Sequence, residues 1–242
     1  MESFDFGEIE VIAFSGTSLI GCCNTYVLLM RGAARCIVVD PGLNIIPNFL
    51  RIQQELGRPL QIDAIWPTHA HCDHICGLRR LRRNFEGKVV CHEGMSQRIR
   101  KSPRFMEGWK ATEPWSLKWL VALGAWAVGF YLGLKPDQTV EDRQLKGWPL
   151  TVESYQGHTA CDAVLIDEER RFAVTGDLIF CSKGGWGWGR YDLPGGNFDL
   201  LIGSIKKLIG PSLPASATIF PGHFEPFTVA HLLEMIEITL PS

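Results

Sequence analysis

The sequence lacks an excess of charge of either sign. Its 242 residues include 24 lysines and arginines against 26 aspartates and glutamates, which gives a formal net charge of −2 at pH 7. Proteins that bind nucleic acid usually carry a strongly basic face. The one basic run, Arg79–Arg83, is more typical of a solvated helix face. We therefore expect no nucleic-acid partner.

The sequence also lacks an export signal and a disulfide framework. Residues 1–6 contain neither the basic segment nor the apolar segment of a signal peptide. The eight cysteines are not spaced as in a disulfide framework, so we expect a cytoplasmic protein with reduced thiols. Cys72 and Cys76 leave a redox pair open as the alternative to two small buried thiols.

One stretch, from about residue 102 to residue 134, departs from the rest of the chain. Its segment 115–134 is apolar on nearly every face, with Lys118 as the only charge, and such a helix must be buried, paired with another subunit or next to lipid. The run is short for a membrane span, so we expect no transmembrane helix, while peripheral membrane contact and a homodimer stay open. We predict a helical insertion that covers a pocket or pairs with a second subunit; an ordinary core helix is the alternative.

Elsewhere strands and helices alternate, which predicts a single α/β layered domain over residues 1–242 that contains this insertion. Alternating or continuous apolar runs predict strands at 8–11, 23–30, 36–42, 62–67, 88–92, 150–155, 163–167, 171–177 and 218–223. Helical spacing predicts helices at 44–56, from 75 onward, at 198–209 and at 229–238. The Gly- and Trp-rich segment 184–190 is predicted to be a loop.

The densest group of metal-binding side chains follows the predicted strand 62–67. His69, His71, Asp73 and His74 occupy six consecutive positions. Residues two apart on an extended chain point the same way, so His69 and His71 can share one ion. Imidazole nitrogen and carboxylate oxygen are ligands that zinc and its transition-metal neighbours prefer. The alternative is a polar turn with solvated histidines.

Three further residues that can bind metal also follow predicted strands: His158, Asp177 and His223. Ligands often lie in such loops. His92 follows a strand as well and is expected to contact a ligand at most, while His231 lies in the closing helix and is expected to pack or face solvent. The thiol of Cys161, three residues after His158, is of chemical interest, although a structural role is the simpler expectation.

In this order, the motifs Thr-His-Ala-His-Cys-Asp-His (68–74), Gly-His-Thr (157–159), Gly-Asp (176–177) and Pro-Gly-His (221–223) resemble those of the metallo-β-lactamase-fold hydrolase superfamily. The resemblance implies a four-layer αββα sandwich with a dinuclear metal site at one edge of its two sheets. It assigns the ligands as follows: His69, His71 and His158 to the first ion; Asp73, His74 and His223 to the second; and Asp177 as a bridge between them. Asp40 matches a strand-end aspartate that orients a ligand imidazole.

The resemblance also implies the chemistry. Two divalent ions, zinc first with iron or manganese as alternatives, would hold a bridging hydroxide that attacks an electrophilic centre, with Asp73 and Asp177 as catalytic carboxylates and Asp73 relaying a proton. The stretch Gly189–Gly196 is similar to that of the glyoxalase-II-like and lactonase-like members. The sequence ends soon after His223, so we expect no glutathione-binding C-terminal domain and no activity on hydroxyacylglutathione. A bridging Asp177 also disfavours antibiotic hydrolysis.

We therefore expect a hydrolase that cleaves an ester, lactone or thioester bond in a small molecule, with an apolar or amphiphilic acyl group as an open feature. A phosphodiesterase or phospholipase-like enzyme, an iron-dependent sulfur dioxygenase with one metal, and a ligand-binding regulator without catalysis remain as alternatives. Aromatic side chains usually line apolar pockets, and those predicted to do so are Trp119, Trp126, Tyr131, Trp186, Trp188 and Tyr191.

Overall fold

A computed structural model describes residues 1–16, 23–100, 135–191 and 195–239. The predicted insertion at 102–134, and with it Trp119, Trp126 and Tyr131, lies outside these described residues. Among the helices that are described, none combines the length and the apolar character needed to cross a membrane.

The first sheet has five strands that pair in chain order. They are β1 (Glu2–Phe6), β2 (Ile9–Phe14), β3 (Thr25–Met30), β4 (Arg35–Val39) and β5 (Gln61–Trp66). Neighbours are antiparallel except β4 and β5, which run parallel because helix α1 (Ile45–Leu56) connects them. Beyond β5 lie two short parallel strands, β6 (Val90–His92) and β7 (Gln138–Val140).

The second sheet has six strands in the order β15-β14-β11-β10-β9-β8. They are β8 (Arg143–Gln144), β9 (Leu150–Tyr155), β10 (Asp162–Asp167), β11 (Phe172–Gly176), β14 (Thr218–Pro221) and β15 (Phe227–Thr228). Its one parallel pair is β11 with β14. A separate hairpin joins β12 (Phe180–Ser182) to β13 (Gly185–Gly187).

Five more helices accompany α1 in the described part of the chain. They are α2 (Cys72–Ile75), α3 (Leu78–Asn84), α4 (Glu93–Arg100), α5 (Phe198–Lys207) and α6 (Val229–Thr239). A π-helical turn, Leu208–Ser212, continues α5. The side chain of Asn197 caps α5 by accepting a hydrogen bond of 3.0 Å from the backbone N–H of Leu200.

Three apolar cores separate these elements into four layers. The central core lies between the two sheets and includes Tyr26 and Trp66 from the first and Phe172 and Phe220 from the second. The outer face of the first sheet packs on α1 and α3, and that of the second packs on α5 and α6. The predicted αββα sandwich is therefore confirmed.

Three local predictions need correction. β1 was not expected, because Glu2–Phe6 is largely exposed and its alternation is that of an edge strand. The predicted loop 184–190 contains β13, which pairs with β12. The helix predicted from residue 75 begins at Leu78 as α3, and the short helix α2, Cys72–Ile75, precedes it. Between them Gly77 lies against the loop after β4, where a Cβ would be 2.2 Å from the carbonyl oxygen of Gly42.

Candidate metal centre

The seven predicted ligands lie at the same edge of the two sheets. His69, His71, Asp73 and His74 follow β5, the last strand of the first sheet proper, while His158, Asp177 and His223 follow β9, β11 and β14 of the second. The parallel pairing of β11 with β14 places Gly176 opposite Pro221. Asp177, the next residue after Gly176, therefore lies close to His223, two residues after Pro221. The fold thus brings together side chains that are far apart in the sequence.

Four side chains form the first ligand group: His69, His71, His158 and Asp177. Nε2 of His158 lies 3.2 Å from Nε2 of His69 and 3.0 Å from Nδ1 of His71. The same nitrogen is 3.6 Å from Oδ2 of Asp177. A tetrahedral zinc ion with bonds of about 2.0–2.1 Å holds its ligand atoms about 3.3 Å apart, so these separations suit one such ion.

The second group consists of Asp73, His74 and His223. Nε2 of His223 lies 3.3 Å from Oδ2 of Asp73, and Nε2 of His74 lies 3.7 Å from the same oxygen. Asp177 reaches this group too, since its Oδ1 is 3.3 Å from Nε2 of His74 and its Oδ2 is 3.5 Å from Nε2 of His223. One carboxylate therefore lies between two groups of ligand atoms.

Asp40 contacts a histidine of each ligand group, His74 directly and His69 through Thr68. Its fully buried carboxylate accepts a hydrogen bond of 2.8 Å from Nδ1 of His74 and two of 2.7 Å from the backbone N–H and the hydroxyl of Thr68. The Thr68 oxygen in turn lies 3.1 Å from Nδ1 of His69. With the Nδ1 protons held in this way, the Nε2 lone pairs of both imidazoles face the centre. Asp40 itself has a φ of +48°, a strained conformation of the kind found at functional sites.

His158 is held by its own neighbours. Its Nδ1 donates a hydrogen bond of 2.9 Å to the backbone carbonyl of Arg190, which again directs Nε2 to the centre. The turn after it is closed by Asp162, whose carboxylate accepts bonds of 2.8 Å from the backbone N–H and the hydroxyl of Thr159. Burial raises the pKa of Asp162 above its usual value, against the effect of the nearby His158.

Two glycines allow the ligands to approach so closely. A Cβ on Gly222 would lie 2.1 Å from Oδ1 of Asp177 and 2.6 Å from Cε1 of His74. A Cβ on Gly189 would lie 2.4 Å from Nδ1 of His158. Any larger residue at either position would displace a ligand.

The electrostatics differ between the two groups. Burial, together with the neighbouring imidazoles, lowers the pKa of His69 well below its usual value and that of His71 to about 3. Both rings are therefore neutral at pH 7, the form that binds metal. The first group offers uncharged nitrogens to a cation.

In the second group, neighbouring acidic groups raise the pKa values of both histidines. Burial alone would lower the pKa of His74, but Cys23, Asp177 and Asp40 outweigh it and raise this pKa well above 6.5. Hydrogen bonds to Asp177 and Asp73 likewise outweigh burial and raise the pKa of His223 to about 9. A metal ion that binds here must displace protons from these imidazoles.

Two carboxyl groups of the centre remain ionised. Burial acts to raise the pKa of Asp177, yet His74 and His223 lower it well below 3.8. The pKa of Asp73 is lowered in the same way, with His74 as the main opposing charge. The centre therefore combines permanent negative charge with imidazole nitrogens, which suits a divalent cation.

A metal fits the residues present. Nε2 of His74 and Oδ1 of Asp177 are buried without a hydrogen-bond partner in the described part of the chain, although buried polar atoms are normally satisfied. Two groups of nitrogen and oxygen ligands that share Asp177 match what two divalent ions require. This donor set does not by itself choose between zinc and iron.

A cavity of about 1080 Å³ opens beside His223. Its apolar wall is formed by Phe180, Phe224 and Phe227, and its polar rim includes Lys183 and Glu225. Sequence reasoning missed this wall. His231, which was expected to pack or to face solvent, is exposed and lines the cavity. The one sequence signal was the Phe that directly follows the candidate ligand His223.

Of the aromatic residues predicted to line the substrate pocket, the three that the structure describes lie away from this cavity. The rings of Trp186 and Trp188 are 5.2 Å apart and pack against the core on the outer face of the second sheet. Tyr191 is exposed, with its ring 4.9 Å from that of Phe198. None of these three lines the cavity beside His223.

His92, for which a contact with a candidate ligand was left open, has other partners in the described part of the chain. Its Nδ1 lies 3.1 Å from the sulfur of Cys161 and its Nε2 lies 3.0 Å from Oδ1 of Asp142.

Comparison with known proteins extends these observations. Residues 20–223 match the family described as the metallo-beta-lactamase superfamily. The crystal structure of the BLEG-1 B3 metallo-beta-lactamase superposes with a TM-score of 0.71 at 22% identity, covering 93% of this chain and 96% of that one.

Two curated relatives differ in their names. A probable metallo-hydrolase of Streptococcus pyogenes is 29% identical, over 86% of this chain and 82% of its own length. The mitochondrial persulfide dioxygenase of Homo sapiens is 25% identical, over 89% of this chain and 69% of its own.

Proposed function

Because the chain belongs to the metallo-beta-lactamase superfamily, we propose that it is a dinuclear metal-dependent hydrolase that cleaves an ester, lactone or thioester bond. The observation that carries the proposal is the position of Asp177 between two ligand groups, within 3.6 Å of His158 on one side and 3.3 Å of His74 on the other. His69, His71 and His158 would hold one ion, and Asp73, His74 and His223 the other. Two such ions supply an activated water and polarise the bond to be cleaved.

The residues of the chain then have distinct tasks. Asp40 and the Arg190 carbonyl fix the ligand imidazoles in the tautomer that offers Nε2. The side chain of Asp73 is 23% exposed, compared with 10% for Asp177, so Asp73 is the carboxylate that can pass a proton to a leaving group entering from solvent. Asp177, the more buried of the two, holds both halves of the centre together.

The cavity beside His223 would receive the apolar part of the substrate. Phe224 directly follows the ligand His223, is 52% exposed and lies with its ring 5.1 Å from that of Phe180. Exposed aromatic rings at the mouth of a cavity favour an acyl or other apolar group. Substrates with a longer acyl chain should therefore bind more tightly than short ones.

A persulfide dioxygenase is the second candidate, favoured by the 25% identity to the human enzyme of that name over 89% of this chain. The two proposals differ in their dependence on the second ligand group. A hydrolase that uses two ions needs His74, whereas a reaction at a single ion held by His69, His71 and His158 does not.

The test is a substrate panel run on the metal-loaded protein and on its His74→Ala and His158→Ala variants. Esters, lactones and thioesters of increasing acyl length are assayed together with a phosphodiester, and oxygen uptake is recorded with a small persulfide. Hydrolysis that is lost in both variants supports the proposal. Oxygen uptake that survives in His74→Ala, without hydrolysis in the parent protein, would overturn it in favour of the dioxygenase.

A further inference from the structure

A second chemical cluster lies outside the ligand groups of the metal centre. Cys161, in the turn before β10, places its sulfur 3.1 Å from Nδ1 of His92, the last residue of β6. Nε2 of the same imidazole is 3.0 Å from Oδ1 of Asp142. The imidazole thus lies within hydrogen-bonding distance of a thiol on one side and of a carboxylate on the other. This arrangement activates a nucleophilic cysteine.

The carboxylate is held in place and fixes the imidazole. Asp142 accepts hydrogen bonds of 2.7 Å and 3.1 Å from the backbone N–H and the hydroxyl of Ser154. Its Oδ1 faces Nε2 of His92, so the proton of the neutral ring lies on Nε2 and the lone pair lies on Nδ1. The backbone N–H of Gly94 also points to Nδ1, at 3.2 Å. Nδ1 is therefore the acceptor, and the Cys161 thiol donates to it.

The start of α4 adds to this arrangement. The helix begins at Glu93, and a Cβ on Gly94 would lie only 3.0 Å from the Cys161 sulfur. The glycine thus allows the first turn of the helix to lie against the thiol. A helix N-terminus favours a negative sulfur, as does an imidazole that takes up the proton.

From this geometry we propose that Cys161 is a nucleophilic thiol that reacts with small hydroperoxides. The sulfur attacks one peroxide oxygen, so that an S–O bond forms and the O–O bond breaks. The thiol proton passes to Nδ1 of His92 and then to the departing oxygen, which leaves as water from hydrogen peroxide and as an alcohol from an alkyl hydroperoxide. Cys161 is oxidised by two electrons to a sulfenic acid, and the peroxide is reduced.

The environment limits the reagent to a small one. Cys161 is only 5% exposed, so a compact uncharged molecule such as hydrogen peroxide can reach the sulfur more readily than a bulky thiol or disulfide. Cys161 also lies in the same turn as the candidate ligand His158, since its backbone N–H donates a hydrogen bond of 3.2 Å to the hydroxyl of Thr159. The experiment must therefore follow the sulfur directly and not enzyme activity alone.

The test measures the rate at which hydrogen peroxide converts Cys161 to a sulfenic acid in the full-length metal-loaded protein, by trapping the product and identifying it by peptide mass spectrometry. Cys181 is the internal reference, because it is also buried and burial raises the pKa of its thiol to about 11. We expect Cys161 to react at least about tenfold faster than Cys181. Equal rates would overturn the proposal.

The decisive variant is Asp142→Asn. Its side chain is 50% exposed, so the exchange should preserve the fold while removing the charge that orients His92. We expect the Cys161 rate to fall by about tenfold or more with the Cys181 rate unchanged. Glu141→Gln, which removes a neighbouring exposed carboxylate, is the matched control and should leave both rates as they are. An unchanged Cys161 rate in Asp142→Asn would contradict the proposed cluster.

Discussion

Replacing Asp40 by asparagine should weaken metal binding without a direct change to any candidate ligand. In the parent protein, Oδ2 of Asp40 accepts bonds from Nδ1 of His74 and from the hydroxyl of Thr68. An amide in that place can keep the bond from the Thr68 N–H through its remaining oxygen. Its NH₂ group, however, faces the Nδ1 proton of His74, and two donors cannot bond to each other.

The imidazole of His74 relieves this conflict by moving its proton. With the proton on Nε2, Nδ1 can accept from the new amide, but Nε2 no longer offers a lone pair to the centre. Loss of such a partner to a ligand imidazole usually costs about 10- to 100-fold in metal affinity, or about 1.4 to 2.7 kcal/mol. The loss should fall mainly on the ion held with Asp73 and His223.

The measurement is a titration of each ion against a competing chelator, with metal content determined after dialysis. Asp167→Asn is the matched control, since Asp167 is also buried and accepts three hydrogen bonds, all from Arg171. Each substitution removes a charge-assisted bond and should lower the free energy of unfolding by about 1.5–3 kcal/mol. Only Asp40→Asn should weaken metal binding. Equal metal affinity in the two variants would refute the role given to Asp40.

Three further predictions concern the same centre. The pKa of His223 is raised from 6.5 to about 9. Protonated His223 therefore stabilises the metal-stripped protein fully below pH 6.5, and this contribution is lost as the pH rises through 9. The urea midpoint of unfolding should fall between pH 6.5 and 9, and a midpoint that does not change with pH would contradict this prediction. Gly222→Ala should abolish metal binding, because the new Cβ would lie 2.1 Å from Oδ1 of Asp177. Gly203→Ala is the control, since no atom lies within 4 Å of its new Cβ. This control should leave the metal content unchanged and raise the free energy of unfolding by about 0.5–1 kcal/mol. Phe224→Ala should raise KM for long acyl substrates more than for short ones, and an equal effect on both would remove the acyl-binding role of the cavity.

Much of the candidate site could be predicted from the sequence because its ligands follow strands in short motifs. His69 to His74 are close in the chain, and each of the other three comes within three residues of the end of an apolar strand that is easy to recognise. The positions where these strands end fix where the ligands lie once the sheets form. The sharing of Asp177 between the two groups was implied by the resemblance to the superfamily and not by any local pattern.

The parts that could not be predicted depend on contacts between distant segments. Cys161 and His92 are 69 positions apart, and neither residue belongs to a pattern that brings them together. The Phe180–Phe224 wall arises where a hairpin meets the loop after β14, and β1 is recognisable only through its pairing with β2. Hydrophobic periodicity describes one element at a time and carries no information on such pairs.

The division of the candidate ligands between the sheets has a consequence for biosynthesis. The first sheet is complete in the chain by Trp66, and four ligands follow it at once, whereas His223 comes only after β14 of the second sheet. During translation from the N-terminus, a nascent chain therefore carries half a centre long before the other half has left the ribosome. The shared carboxylate, Asp177, also belongs to the late half. All seven candidate ligands can come together only after His223 has been synthesised, so a chain that terminates before this residue would lack part of the centre even if its first sheet had folded.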